Sequence, residues 1–417
     1  MSDLTKRIKE IALCAKESFW KINGLSSGVK NRVLLRLAKV IEENIKEIIS
    51  ANTKDIENAK KKNLSGAMID RLLLDEKRIN NICESLHNIT VLEDPVGKMV
   101  SMTKRPNGLD ICKVRVPIGV ISVIYESRPN VTIDSFALGF KAGNVIILRG
   151  GSESFNSNMI LVECARKALL QEGIPQDVIQ YIPFTEREAI VELLKLEGII
   201  DLVIPRGGEG LIRTVVETSK IPVIKHYKGV CHIYIDSTAD PSMAEKIVIN
   251  AKVQRPGVCN AVEKVLFNVD FPETERIINA LIEKNVEVRC DENLININPL
   301  CKRAKESDWT EEYLDLIITA KQVFSIDEAI EHINRFGSHH SDAIITKDYS
   351  NARKFLTEVD SASVYVNAST RFTDGGEFGL GAEIGISTDK LHCRGPMGLE
   401  DLTTTKYIIY GDGQIRI

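Results

Sequence analysis

The sequence has nine cysteines but no pair in CxxC spacing. They stand at 14, 83, 112, 164, 231, 259, 290, 301 and 393. So wide, irregular and odd-numbered a set fits neither a thiolate metal site nor a disulfide framework. No uninterrupted apolar stretch approaches the roughly 20 residues that span a bilayer, so no membrane segment is expected. The first ten residues, MSDLTKRIKE, lack a basic start followed by an apolar run, and no secretory leader is expected. Charge shows no strong excess of one sign: 54 basic side chains face 58 acidic ones, for a formal net of −4. Such a balance gives no global attraction to nucleic acid or to an anionic membrane, so an anionic ligand must be met by a local cluster. There is no GxSxG elbow and no Walker loop. Histidine is sparse, at seven residues, and only His339-His340 are adjacent. Neighbouring side chains point in different directions and no acidic partner has ligand spacing, so no metal site is expected. The absences describe a reduced, cytoplasmic, metal-free protein.

What is present is a long chain with ample apolar content. At 417 residues and 43% hydrophobic it predicts two or three domains with substantial cores. The first 90 residues read as helix. From Val29 to Ile56 apolar positions recur at three- and four-residue steps, with Lys, Glu and Asn on the other face. Lys60-Lys61-Lys62 reads as a solvated helix end. Short alternating segments at Met99–Lys104 and Leu109–Val116 flank Pro106-Asn107-Gly108, a hairpin signal. A hairpin inside a helical domain needs something to pack on, and another subunit is one candidate.

From Gly119 onward, apolar β-branched runs alternate with helical patterns. Strands are expected at 119–125, 145–148, 178–183 and 201–205, with helices between them and a further helix from Glu209. The alternation resumes after His226 and runs to a strand at 363–367. Short connections between alternating strands and helices predict parallel sheets covered on both faces. The two α/β units join near Lys225–Gly229, and the tail from Thr403 reads as a terminal strand.

Ligands in α/β proteins bind in clefts and at the carboxyl ends of strands. Val253–Val262 (VQRPGVCNAV) lies between a helix and a strand, with Pro256-Gly257 forcing a turn. Arg255 stands four residues before Cys259, so positive charge and turn N–H groups could favour its thiolate. The competing reading of any cysteine is a small buried hydrophobe, and the turn alone does not choose between them. Pro205–Gly210 (PRGGEG) follows a strand and opens a helix, where glycines let a backbone approach phosphate. A plain turn reads equally well there. Arg149 ends another strand of the same sheet and could meet a phosphate or stand in solvent. Gly379–Gly385 (GLGAEIG) has no strand running into it and reads as a glycine-rich loop near the site.

The combination strand–YESRPNV–helix–ILRGG, IPRGGEG, KHYKGVCHIYID, QRPGVCNAVE and VYVNAST…GGEFGLGAEIG spans the chain. It resembles the gamma-glutamyl phosphate reductase family, a branch of the aldehyde dehydrogenase superfamily. The resemblance implies an aldehyde dehydrogenase-like α/β fold with three parts. These are a Rossmann-like NADP-binding domain (1–98 and 117–228, with a return segment near 369–401), a catalytic domain (229–368) and a small β oligomerisation element (99–116 and 402–417). A homodimer or higher homo-oligomer is expected.

The resemblance makes Cys259 the nucleophile and puts Gly207 and Gly208 beside the cofactor pyrophosphate. Arg149 falls where the superfamily has a lysine against the adenosine ribose. Ser152 falls where NAD-preferring members carry a glutamate, and this exchange suits NADPH. Glu312 (TEEYLDL) matches the glutamate that holds the nicotinamide ribose. Two departures matter. His226 stands where other members place a water-activating glutamate, which suits a thioester kept for hydride. Ser127, with Asn130 close by, stands in place of the usual oxyanion asparagine. The implied reaction is NADPH-dependent reduction of L-glutamyl 5-phosphate to L-glutamate 5-semialdehyde, a step of proline biosynthesis. Arg128, Arg255 and Arg394, with His226, are the candidates to face substrate. A separate glutamate kinase would supply the acyl phosphate and could contact the protein transiently. Two alternatives stay open: a sister enzyme acting on another acyl phosphate or an acyl-CoA, and an inactive NADP-binding subunit.

Overall fold

A computed structural model describes residues 2–225 and 227–416, and the chain divides into two compact units. One comprises Met1–Lys225, Gly379–Gly385 and Met397–Ile417, and the other His226–Phe378 and Ile386–Pro396.

The first unit opens with five helices: Asp3–Ile22, Ser27–Glu43, Ile45–Lys61, Gly66–Leu72 and Glu76–Val91. Side chains of Ser2, Ser26, Ser65 and Asp75 accept first-turn N–H groups that have no partner inside the helix. The periodic run from Val29 to Ile56 forms two helices, not one. Asn44 leaves the helical conformation (φ −115°, ψ 21°), and its amide donates back to the Val40 carbonyl at 2.6 Å. A side chain that competes for backbone bonds breaks the helix while the apolar stripe carries on.

The parallel sheet of this unit has four strands in the spatial order Ile179–Tyr181, Val145–Arg149, Val120–Tyr125, Leu202–Arg206. Strands buried on both faces need no alternation, which is why VISVIY and VIILR read as continuous apolar runs. The hairpin strands Met99–Lys104 and Asp110–Pro117 pair antiparallel, and Thr403–Tyr410 adds a third strand beside the second. The C-terminal strand thus supplies a partner for the hairpin within the same chain. Met99, Val100, Met102, Tyr407, Ile409 and Tyr410 remain exposed on this small sheet.

The second unit is a seven-stranded parallel sheet. Its order is Lys302–Arg303, Glu287–Cys290, Ile317–Val323, Val262–Asn268, Cys231–Ile235, Ser341–Ile345, Ser363–Val366. Side chains alternate across it. Ile233, Ile235, Val265 and Phe267 join a core with helices Pro241–Val253 and Thr274–Glu283. Tyr234 and Leu266 face helices Ile326–Phe336 and Tyr349–Glu358 through Ile330, Ile333 and Phe355. Among the described residues no helix is long and apolar enough to cross a membrane.

Candidate active site

Cys259 lies in the turn between the end of helix Pro241–Val253 and the start of strand Val262–Asn268. The Ala261 N–H closes this turn on the Val258 carbonyl at 3.0 Å. The turn therefore stands at the amino-terminal edge of its sheet, not at the carboxyl ends of the strands. The reason is local: an α–β connection delivers its residues to the edge where the next strand begins.

The cysteine is half-buried and its backbone is held from behind. The Cys231 thiol donates to the Cys259 carbonyl at 3.2 Å. A Cβ on Gly229 would stand 1.9 Å from that same carbonyl oxygen, so only glycine lets the 227–230 segment pass beneath the turn. The next residue, Asn260, is buried, and its side chain and carbonyl are bonded. Its amide donates to the Thr373 carbonyl at 2.8 Å, its side-chain oxygen accepts from the Arg371 guanidinium, and its carbonyl accepts from Thr370 Oγ1 at 2.7 Å. Arg371 Nε donates to Gln254 Oε1 at 2.8 Å, on the other side of the cysteine. Thr373 in turn bonds the Ser341 hydroxyl at 2.6 Å and the Tyr365 hydroxyl at 2.7 Å.

Glu312 belongs to the same edge. A Cβ on Gly257, in the turn that carries Cys259, would stand 3.6 Å from the Leu314 carbonyl, so the 311–314 loop lies against the turn. Two buried ionisable residues anchor this loop. Lys264 Nζ donates to the Glu311 carbonyl at 2.8 Å, and Glu263 Oε1 accepts the Leu314 N–H at 3.4 Å. Glu263 also pairs with Lys252 at 3.1 Å, with both side chains fully buried. Burial pushes the Glu263 carboxyl up to about 7 against the pull of both lysines. It pushes Lys264 down to about 7 against Glu263, and lowers Lys252 as well. Desolvation thus outweighs pairing for all three groups.

Of the remaining substrate candidates in this unit, Arg255 is exposed beside the cysteine. Arg394 donates to the Asp360 carboxylate at 2.8 Å and to the Asp360 carbonyl at 2.9 Å. Bonds from Lys390 and Arg394 hold that carboxyl down to about 2. To meet a substrate anion, Arg394 would have to give up this pair. His339 and His340 bond separately, to the Asp360 carbonyl and the Ser341 hydroxyl. His226 lies outside the described residues.

The candidates of the first unit gather at the carboxyl edge of its sheet. Gly207 and Gly208 lie between strand Leu202–Arg206 and helix Glu209–Thr218, an arrangement suited to an anion. An internal carboxylate meets this helix start: Glu126 Oε2 accepts the Gly208 N–H at 2.9 Å. A Cβ on Gly207 would stand 2.7 Å from the Glu126 carboxyl carbon. Ser127 follows Glu126 and is buried. Arg128 and Asn130 are exposed, and the Asn130 amide donates to Asp134 at 2.9 Å.

Arg149, the last residue of its strand, is only 8% exposed. It donates to the Thr185 carbonyl at 2.9 Å, while its Nε has no hydrogen-bond partner among the described residues. Burial lowers its pKa, opposed by Tyr181 and by the carboxylates of Glu153 and Glu186. Ser152 lines an open cavity of about 300 Å³ together with Asn58, Lys61, Lys62 and Glu153. Two of the lysines read as a solvated helix end therefore border this candidate cofactor region. Gly379–Gly385 reaches the same edge, where a Cβ on Gly385 would stand 2.5 Å from an Arg206 guanidinium nitrogen.

Sequence reading missed Arg371, Asn260 and Glu126. Asn260 adjoins the candidate nucleophile and Glu126 opens the strand-to-helix turn, so both positions carried a usable signal. Arg371 lies over one hundred residues from Cys259 in sequence, and no spacing announced it.

Comparison with known proteins identifies the family. The model of the aldehyde dehydrogenase family matches residues 3–316. A gamma-glutamyl phosphate reductase from Geotalea daltonii is 54% identical over 415 residues, covering 99% of each chain. One from Clostridium botulinum is 54% identical over 404 residues, covering 96% of this chain and 98% of the relative. The crystal structure of gamma-glutamyl phosphate reductase from Thermotoga maritima superposes with a TM-score of 0.97 at 44% identity, covering 98% of this chain and all of that one. An acetylating aldehyde dehydrogenase from Geobacillus thermoglucosidasius, at 14% identity and a TM-score of 0.71 over 99% and 98% of the two chains, shares the fold. The chain belongs to the aldehyde dehydrogenase family, in its gamma-glutamyl phosphate reductase branch.

Proposed function

We propose that this oxidoreductase converts L-glutamyl 5-phosphate to L-glutamate 5-semialdehyde and phosphate, using NADPH and a thioester on Cys259. One observation carries the reading: a half-exposed cysteine in a turn whose carbonyl and flanking side chains are fixed by Cys231, Gly229, Asn260 and Arg371. The names of relatives 51–55% identical supply the substrate.

In the first step the Cys259 thiolate adds to the acyl carbon. The developing oxyanion takes the Cys259 backbone N–H and one side-chain donor, with Ser127 and Asn130 as candidates. Such donors are commonly worth about 3–4 kcal/mol. The C–O bond to phosphate then breaks and phosphate leaves with its electron pair, forming the thioester. The departing phosphate takes up one proton from solvent and so leaves as the hydrogen phosphate dianion, a good leaving group. Arg128, Arg255 and Arg394, with His226, are the groups assigned to the substrate's phosphate and α-carboxylate, for which guanidinium forks are suited.

NADPH, when bound, supplies the hydride that reduces the thioester. Gly207 and Gly208 would face its pyrophosphate, Arg149 and Ser152 its adenosine ribose, and Glu312 its nicotinamide ribose. Supporting the fit are the unpartnered Nε of buried Arg149 and the Lys61 and Lys62 side chains beside Ser152, cations that suit a 2′-phosphate. Residues 1–98 and 117–228, with a return segment near 369–401, are assigned to the cofactor, 229–368 to catalysis, and 99–116 with 402–417 to a homodimer contact. A separate glutamate kinase would supply the acyl phosphate.

The test is a kinase-coupled assay of NADPH oxidation with a panel of acyl phosphates and acyl-CoA esters. Glutamyl phosphate is expected to be the preferred substrate, and preference for another acyl donor would reassign the enzyme. Cys259→Ala is expected to bind NADPH normally and to lose at least about 10³-fold in turnover, the scale set by removing a covalent nucleophile. Wild-type turnover in that variant would end the thioester proposal.

A further inference from the structure

We infer that Arg371 is a positioning residue of the nucleophile turn, bracing Cys259 from both sides and providing the fixed cation against which its thiolate forms. This rests on the assignment of Cys259 as nucleophile.

The need for a cation follows from where the turn stands. Cys259 comes six residues after the end of helix Pro241–Val253, and the last carbonyls of a helix carry partial negative charge. The chain then enters a strand, so no helix start offers its N–H groups. The N–H that closes the turn, that of Ala261, is already bonded to Val258. With the Ala261 N–H taken, a thiolate here draws on side-chain charge as well as on the remaining turn N–H groups.

Besides Glu312 and the buried Glu263, Lys252 and Lys264 described above, four groups act on Arg371 itself at the turn. Arg371 interacts electrostatically with Arg255, Asp374, Cys259 and Cys231. Behind Cys231 stands His340, with Nδ1 3.9 Å from the Cys231 sulfur. Arg255 is exposed on a long stem and makes no hydrogen bond or ion pair among the described residues. Arg371 is different. Its Nε is bonded to Gln254, the residue that ends the helix, at 2.8 Å, and a second nitrogen is bonded to the Asn260 side-chain oxygen. One planar guanidinium thus spans the turn from five residues before the cysteine to one after it. Thr370 and Thr373 tie the same two segments through both Asn260 polar ends. Burial and Arg255 push the Arg371 pKa down, while Asp374 and the two thiols pull it up, as expected of a cation facing incipient thiolates.

Lysine can replace the charge but cannot form the two-point bridge. The test uses the full-length protein and its variants Arg371→Gln, Arg371→Lys and Gln254→Ala. The pH dependence of alkylation by iodoacetamide is read at the Cys259 peptide by mass spectrometry, because the chain has nine cysteines. In Arg371→Gln the midpoint is expected to rise by about one pH unit, so that alkylation near neutrality slows about tenfold. Arg371→Lys is expected to keep most of the midpoint yet lose kcat about tenfold with little change in KM, because the charge stays and the bracing goes. Gln254→Ala, which frees one end of the guanidinium, should shift the midpoint the same way by less. An unshifted midpoint in Arg371→Gln, with NADPH binding and melting temperature intact, overturns the inference. If Arg371→Gln does not fold, an unshifted midpoint in Gln254→Ala does so. A wrong nucleophile assignment shows itself separately, as activity retained in Cys259→Ala.

Discussion

The two parallel sheets of this protein present their candidate groups on opposite edges. In the first unit, Glu126, Ser127, Arg149 and Gly207-Gly208 stand at the carboxyl ends of strands, where helices begin. In the second, Cys259, the Glu312 loop and Gly229 stand at the amino ends, where helices finish. A carboxyl edge offers free N–H groups and a favourable dipole, and needs little besides glycine to receive an anion. An amino edge offers carbonyls, so a reactive anion there must be supported by side chains. The interiors match this division. The strands of the first sheet bury Ser122, Arg149 and Gln180 but no acid, while Lys264, Glu263, His232, Ser341 and Asp342 are buried in the second.

The largest expected effect concerns that buried charge. Lys252→Met should cost about 3–5 kcal/mol in urea unfolding because it leaves Glu263 without its partner in a dry site. Adding Glu263→Leu should recover much of the loss, since the pair is costly to desolvate. A small loss in the single variant would mean that the pair is not isolated from water. At the other edge, Gly207→Ala should weaken NADPH binding about tenfold, read by calorimetry, with Cys259 alkylation unchanged. The added methyl would press on the Glu126 carboxyl 2.7 Å away and disturb the loop proposed to face the cofactor. If alkylation changed as well, the division between a binding edge and a chemical edge would be too sharp.

The third effect is a slope with pH. His332 is buried in the second unit and held down to about 2, first by burial and then by His232, Lys321, Lys264 and Arg335. Its folded pKa lies below the ordinary 6.5, so the unfolded chain binds the extra proton. The stability that neutral His332 confers is complete above pH 6.5 and falls on acidification toward 2, by up to about 1.4 kcal/mol per pH unit. His332→Leu should flatten the dependence of urea midpoints between pH 6.5 and 4. An unchanged slope would assign acid sensitivity to other groups.

Much of this architecture was legible in the chain. Asp240-Pro241 marks a capped helix start, Asn107-Gly108 marks the hairpin, and the β-branched runs mark strands buried on both faces. Each is a local preference that survives packing. Asn44 was not legible as a break, because the apolar stripe continues across it. The edge on which Cys259 stands was missed because the general rule for open sheets points to carboxyl ends, whereas this turn connects a helix to the following strand.

By itself the sequence determined the alternation of elements and the family pattern, and it picked out Cys259 as the candidate nucleophile, since these rest on residues close together in the chain. Only the tertiary structure decided what surrounds that cysteine. Gly229, Cys231, Thr373 and Arg371 reach it from strands and loops up to 114 positions away, the separation between residues 259 and 373. Their role depends on strand order and side-chain direction, which no local pattern encodes. The same holds for Lys61 and Lys62, a solvated helix end as expected, which only the fold set beside Ser152.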